Sequence, residues 1–115
     1  MEINRERLVR TFRDLVAIDS PSLGERNMAD ELTRRLKRLG FTVEEDRAGE
    51  QAGGNCGNLY AYLCGNEALP PLLFCAHMDT VQPARGKRTV LELDGRIRSA
   101  GESVLGADDV SAIAA

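Results

Sequence analysis

The stretch LLFCAHMDTV, residues 72–81, decides how the chain is predicted to fold. Its first five residues, Leu72–Ala76, form an uninterrupted apolar run, which is typical of a strand covered on both faces of an α/β sheet. The run ends at His77, the only histidine of the chain, and Asp79 follows two positions later. We therefore predict a central strand over PLLFCAHMD, residues 71–79, in a three-layer α/β fold.

Two helices are predicted ahead of this strand. The first covers residues 4–18, where apolar side chains recur at helical spacing and Asn4 is a suitable N-cap. The second follows the DSPS stretch, with Ser22 and Glu25 as a capping box, and ends at Gly40. Both helices are predicted to pack against the sheet.

The remaining predicted elements are short. FTVEED (41–46) and NLYAYL (58–63) have strand-like composition, and a glycine-rich loop separates them. Asp94–Gly95 is a hairpin signal between TVLEL and RIRS. In LGADDVSAIAA (105–115), either aspartate could cap a helix of about two turns, a length that is marginal in isolation. No stop signal follows this helix, so we expect the chain to be one part of a larger domain.

Length, composition and charge exclude several classes of protein. With 115 residues, of which 43% are hydrophobic, the chain can form one compact core. The formal net charge of −3 and the mixed charge pattern give no reason to expect a nucleic acid or a membrane as partner. No signal peptide and no apolar run of membrane-spanning length is visible. The three cysteines lack C-x-x-C spacing, which predicts reduced thiols in a cytoplasmic protein, with Cys75 as a small buried hydrophobe.

His77 and Asp79 are predicted to lie side by side, because residues i and i+2 of a strand project to the same face. Open α/β sheets bind ligands at the carboxyl ends of their strands. A carboxylate at one imidazole nitrogen fixes the tautomer and leaves the other nitrogen free for a metal. A histidine that is merely hydrogen-bonded at a strand end explains the pair equally well. The single histidine excludes a metallo-β-lactamase-type site, and the missing first aspartate excludes a haloacid-dehalogenase-type phosphatase.

The second polar motif is GADDV, residues 106–110. Its glycine and alanine permit the backbone to approach a ligand closely, and burying both Asp108 and Asp109 without a cation would be costly. By itself the motif is better interpreted as an acidic helix N-terminus. Ser103 in GESVLG is a poor catalytic serine, because the second glycine is misplaced for a nucleophile elbow.

Taken together, the motifs resemble one family. SPSLGER, LGFTVEED, GGNCGNL, LLFCAHMDTV and LGADDVSAIAA occur in the order and spacing of the M20 metallopeptidases, most closely those of the peptidase T-like (tripeptide aminopeptidase-like) branch. The resemblance covers residues 9–115. It implies a fold of the zinc-dependent exopeptidase type, with residues 1–115 as the N-terminal portion of a single catalytic domain. The C-terminal half of that domain and the lid or dimerisation domain would be absent.

The resemblance also implies roles for individual residues. His77 would be a metal ligand, Asp79 its supporting catalytic partner, and Asp108 the ligand that bridges two zinc ions. The peptide bond between Asp108 and Asp109 would be cis. Val110 departs from the family pattern, which usually has lysine at this position.

The implied activity of the full protein is hydrolysis of a peptide or related amide bond by water that two zinc ions activate, with short peptides as substrates. The general base and the remaining ligands lie downstream of residue 115 in the family, so the segment alone is expected to be inactive. We also expect it to self-associate through the face that the missing half would cover. The alternative is a stand-alone, non-catalytic α/β module that binds a partner.

Overall fold

The computed structural model describes residues 2–115. Within these residues the chain forms two antiparallel strand pairs, β1–β2 and β3–β4, together with four helices. The elements in chain order are α1 (Arg5–Val16), α2 (Arg26–Arg38), β1 (Thr42–Glu45), α3 (Ala48–Ala52), β2 (Leu59–Tyr62), β3 (Thr89–Leu91), β4 (Ile97–Ser99) and α4 (Val110–Ala114). This combination of helices and small sheets confirms the predicted α/β class.

The hydrophobic core lies where α1, α2 and α4 meet. It is formed by Phe12, Leu15, Val16, Met28, Leu32, Val110 and Ala114. The first helix is capped as predicted, since Oδ1 of Asn4 accepts a hydrogen bond from the backbone N–H of Arg7 at 2.9 Å. Helix α2 lies against β1 and β2, whereas the main neighbour of α1 is α4. The prediction that both helices pack on the sheet therefore holds only for α2.

Two predicted turns differ in outcome. The Asp94–Gly95 hairpin is confirmed, because β3 and β4 pair antiparallel and Gly95 has a φ of 88°. The glycine-rich loop prediction is wrong in part, because the short helix α3 lies between β1 and β2. Asp46 accepts a hydrogen bond from the backbone N–H of Ala48 at the start of this helix, and Gly53 ends it at a φ of 76°.

The predicted central strand over residues 71–79 is not formed. Leu72 is 82% exposed, Phe74 is 87% exposed, and Cys75, which was predicted to be buried, is exposed as well. Within residues 2–115, the backbone N–H groups of residues 72–77 have no hydrogen-bond partner. A strand needs a paired neighbour, and the only strand-like pairing next to this segment within residues 2–115 is a single parallel bridge between Pro21 and Thr80.

The predicted capping box of α2 is also wrong. Glu25 Oε1 accepts from the backbone N–H of Leu23 at 2.7 Å, and the helix starts after Glu25 without a side-chain cap. Leu23 has a φ of 67°, so the chain turns before the helix begins. The hydroxyl of Ser22 is directed elsewhere, to Asp79. The far end agrees with the prediction, because Gly40 follows the helix with a φ of 91°.

Candidate metal centre

The three side chains predicted to form the site lie together. Nδ1 of His77 is 3.1 Å from Oδ1 of Asp79 and 3.0 Å from the backbone carbonyl oxygen of the same residue. Nε2 of His77 is 3.2 Å from Oδ1 of Asp108, which is 31 residues further along the chain. The imidazole therefore has one carboxylate at each ring nitrogen.

The segment that carries His77 and Asp79 is fixed from the α1–α2 connection. The hydroxyl of Ser20 donates to the carbonyl of Met78 at 2.6 Å, and the backbone N–H of Thr80 donates to the carbonyl of Ser20 at 2.8 Å. These bonds hold the backbone on both sides of Asp79. The backbone at the end of the segment is consequently fixed, although the backbone N–H groups of residues 72–77 have no hydrogen-bond partner within residues 2–115.

The second half of the site is placed by the start of α4. Asp109 is the N-cap of this helix, and Val110 is fully buried in the core. The residue that departs from the family pattern therefore anchors the helix by packing. The peptide bond between Asp108 and Asp109 is cis, as the resemblance implies. The Asp108 side chain is 94% exposed, so it projects into solvent on the side of the imidazole.

The charges of the site favour an ionised pair. A hydrogen bond from Ser22 and, against the effect of burial, the neighbouring imidazole hold the pKa of Asp79 below its usual value. Burial opposes protonation of His77, but the hydrogen bonds to Asp108 and Asp79 outweigh it and raise the pKa of His77. Both ring nitrogens face acceptors, so a cation at this place is favoured, whether a proton or a metal ion.

A buried lysine lies beneath the site. Nζ of Lys87 donates a hydrogen bond to Oγ1 of Thr80 at 3.1 Å, and both residues are only 2% exposed. Burial lowers the pKa of Lys87, and the nearby carboxylate of Asp19 opposes that shift. Gly106 lies against the same pair: a Cβ there would be 3.0 Å from Cγ2 of Thr80. The two halves of the site thus share one packed support.

The donor atoms of His77 and Asp108 are of the kinds that bind zinc. Imidazole nitrogen and carboxylate oxygen are ordinary zinc ligands, and two atoms bound to one tetrahedral zinc at about 2.0–2.1 Å lie about 3.3 Å apart. The 3.2 Å between Nε2 of His77 and Oδ1 of Asp108 fits that separation. Across residues 2–115, no group of three or more His, Cys, Asp or Glu side chains could hold a metal ion. The pair fits part of a zinc site and not a complete one.

Three residues of this neighbourhood are not predicted from the sequence. The sequence predicts Ser22 to be a helix cap and indicates no role for Thr80 or Lys87. DSPS has serines at two alternate positions, Ser20 and Ser22. This spacing is a usable signal for the contact of Ser22, because two hydroxyls in one turn can form hydrogen bonds with two different parts of a facing segment. No local signal points to Lys87, whose burial depends on packing between distant segments.

Comparison with known proteins identifies relatives of this chain. No protein-family model matches the chain. The chain is 37% identical to the uncharacterized protein YqjE of Bacillus subtilis, over 98% of its own length and 30% of that protein. A probable carboxypeptidase of Aspergillus terreus is 37% identical over 62% of the chain and 17% of that protein.

Two solved structures match almost all of the chain. A tripeptidase from Staphylococcus aureus superposes with a TM-score of 0.92 at 37% identity, and aminopeptidase PepT from Bacillus cereus with 0.93 at 38% identity. Each match covers 97% of this chain and 30% of the other. The chain is similar to these two peptidases over almost its whole length. The resemblance to the peptidase T-like branch that the motifs indicated is thereby confirmed.

The chain spans 30% of the length of YqjE and of the two peptidases of known structure. The tripeptidase, the aminopeptidase and the probable carboxypeptidase are peptidases by name, but the metal-ligand and catalytic roles of His77, Asp79 and Asp108 stay predictions. Of the helices in residues 2–115, none is long and apolar enough to cross a membrane. All three cysteines, which lie within those residues, are free thiols, as predicted.

Proposed function

We propose that this chain supplies part of the active site of a zinc-dependent peptidase that removes residues from the amino end of short peptides. The observation that supports the proposal best is the 3.2 Å separation between Nε2 of His77 and Oδ1 of Asp108, with Nδ1 of the same imidazole held by Asp79. The activity belongs to a full protein in which residues outside 1–115 supply the general base and the remaining ligands.

In this proposal each of the three side chains has a separate task. His77 offers the lone pair of Nε2 to one zinc ion, and Asp79 keeps the ring proton on Nδ1, which fixes the tautomer that leaves Nε2 free. Asp108 would hold both ions through its carboxylate. Two bound zinc ions would supply polarisation of the scissile carbonyl and acidification of a water molecule. The exposed face of Asp108 leaves room for the substrate.

The proposed setting is the cytoplasm, where the thiols of Cys56, Cys64 and Cys75 would stay reduced. The proposed substrate class is short peptides, which the tripeptidase and aminopeptidase names of the two structural relatives support. The isolated 115-residue chain is expected to be inactive, because one imidazole and one carboxylate cannot hold two metal ions.

A chimera tests this function. The chain would replace the corresponding residues of aminopeptidase PepT from Bacillus cereus, of which it covers 30%. We expect the zinc-loaded chimera to release the first residue of a tripeptide, and a chelator to abolish the activity. His77→Ala and Asp108→Ala should each lower kcat/KM by on the order of 100-fold or more, since each removes a ligand of the metal that carries the chemistry.

The matched control is Glu67→Gln, which removes an exposed carboxylate that is not part of the proposed site and should leave the activity unchanged. Circular dichroism and size-exclusion chromatography would show that each chimera is folded. A folded, zinc-loaded chimera that hydrolyses no tripeptide would contradict the proposal. So would full activity in the His77→Ala variant.

A further inference from the structure

The hydroxyl of Ser22 contacts Asp79, although Ser22 is not one of the three residues predicted to form the site. This hydroxyl donates to Oδ2 of Asp79, 57 residues further along the chain, at 2.5 Å. It does not cap α2, which begins only at Arg26. The hydroxyl is therefore free for a contact with a residue of the proposed metal site.

The two oxygens of the Asp79 carboxylate have different partners. Oδ2 accepts from Ser22, and Oδ1 lies 3.1 Å from Nδ1 of His77. A carboxylate held at one oxygen has its plane set, because rotation about the Cβ–Cγ bond would break the bond from the hydroxyl. The direction in which Oδ1 meets the imidazole thus depends on Ser22.

The backbone around Asp79 is held independently of Ser22. On one side Met78 accepts from the hydroxyl of Ser20, and on the other the N–H of Thr80 donates to the carbonyl of Ser20. Ser20 is fully buried, whereas Ser22 is exposed. Removal of the Ser22 hydroxyl would consequently release the Asp79 side chain without releasing the segment that carries it.

We propose that Ser22 is a positioning residue that fixes the Asp79 carboxylate and, through it, the tautomer and orientation of His77. The inference rests on the proposed function, since it explains how Nε2 is kept free to bind zinc. Residues that orient a metal-ligating histidine commonly govern metal affinity although they do not touch the metal.

Loss of Ser22 has a defined consequence for the ring proton. With Asp79 held, Nδ1 of His77 faces two acceptors of that residue, and the proton stays on Nδ1. With the Asp79 carboxylate free to turn away, Nδ1 keeps only the carbonyl oxygen of Asp79 as acceptor, whereas the carboxylate oxygen Oδ1 of Asp108 still lies 3.2 Å from Nε2 and competes for the proton. A proton on Nε2 occupies the nitrogen that a metal would use.

The tautomer can be measured in the zinc-free chain, because His77 is its only histidine. Long-range ¹H–¹⁵N spectra of the tag-free chain, at a pH where the ring is neutral by its own titration, distinguish the two forms. We expect predominantly Nδ1–H in the wild type and a clearly larger fraction of Nε2–H in Ser22→Ala. Ser22→Thr, which keeps a hydroxyl, should give the wild-type spectrum. Ser22→Val, which has the shape of threonine but no hydroxyl, should not.

Zinc titration followed through the same signals gives a second measurement, in which Ser22→Val should bind zinc about tenfold more weakly than Ser22→Thr. Ser111→Ala, an exposed change on α4, is the control and should match the wild type. A folded Ser22→Val variant in which His77 has the wild-type tautomer would overturn the inference. So would a wild-type chain in which the ring proton of His77 is on Nε2. An inactive chimera would instead overturn the proposed function and leave a tautomer shift standing.

Discussion

Nε2 of His77 lies 3.2 Å from Oδ1 of Asp108, although the two residues belong to segments with different supports. The first segment is held by the α1–α2 connection through Thr80, and the second by the burial of Val110. Gly106 and Lys87 pack where these supports meet. The separation of the two donor atoms is therefore set by packing that lies below the site.

Gly106→Ala should test this support. A Cβ at this position would lie 3.0 Å from Cγ2 of Thr80 and 3.4 Å from Cδ of Lys87, and the φ of 70° adds backbone strain. Gly53→Ala is the matched control, because its φ is 76° but nothing lies within 4 Å of the added atom. We expect the free energy of unfolding to fall by about 1–2 kcal/mol for Gly53→Ala and by about 1–3 kcal/mol more for Gly106→Ala.

Denaturant titration of both variants would provide these values. Equal losses of stability would mean that the contact of Gly106 with Thr80 and Lys87 is not tight, and that the two halves of the site are supported separately.

The local elements could be predicted from the sequence because their causes are local. The cap at Asn4, the turn at Gly95 and the helix end at Gly40 each depend on a few neighbouring residues. The site could be located because H-x-D and G-A-D-D are short motifs whose residues remain together. The pairing of His77 with Asp79 is predicted from their spacing, although on a strand that does not form, whereas their grouping with Asp108 followed from the family resemblance.

The misplaced elements depend on distant partners. The apolar residues 72–76 have strand-like chemistry, but a strand forms only with a neighbour, and none pairs with them among residues 2–115. Ser22 and Glu25 have the spacing of a capping box, yet a carboxylate 57 residues away from Ser22 takes the hydroxyl. Neither the lack of a pairing strand nor the distant contact of Ser22 can be read from a window of local sequence.

The ion pairs of Glu31 should make the free energy of unfolding depend on pH. Glu31 pairs with Arg34 and Arg35 at 2.5 Å each. The hydrogen bond from Arg34 and, against the effect of burial, that from Arg35 lower the pKa of Glu31 to about 2. Because the folded-state pKa lies below the unfolded value, the stabilisation is present above the unfolded pKa and is lost as the pH falls towards about 2.

Glu31→Gln removes the titrating group. Between about pH 5 and about pH 3 we expect the wild type to lose about 1 kcal/mol more stability than this variant, a figure reduced for solvent screening. Glu50→Gln breaks the more exposed pair with Arg47 and should keep the wild-type pH dependence. Parallel stability curves for the wild type and Glu31→Gln would show that the Glu31 network contributes nothing.

The unpaired segment should make the chain self-associate. Leu72, Leu73 and Phe74 are all more than 80% exposed, and their backbone N–H groups have no partner within residues 2–115. Unpaired edges and exposed apolar patches favour association with another chain. We expect dimers or larger species in analytical ultracentrifugation, with Phe74→Lys shifting them towards monomer.

Leu93→Lys is the control for this effect, since Leu93 is an isolated exposed leucine beside the β3–β4 turn and should not change the association. A clean monomer of the wild type at high micromolar concentration would instead mean that the segment is self-sufficient, and would favour the stand-alone module.

His77 and Asp108 are proposed to bind one zinc ion through Nε2 and Oδ1. A zinc titration of the 115-residue chain, followed through the ring nitrogens of His77, tests this most directly. We expect weak binding, because tight sites use three or four protein ligands, and we expect zinc to shift the signal of Nε2 while Nδ1 keeps its proton. Asp108→Asn should weaken that binding by about tenfold or more. Zinc bound at Nδ1, an affinity unaffected by Asp108→Asn, or sub-micromolar stoichiometric binding that His77→Ala abolishes would contradict it.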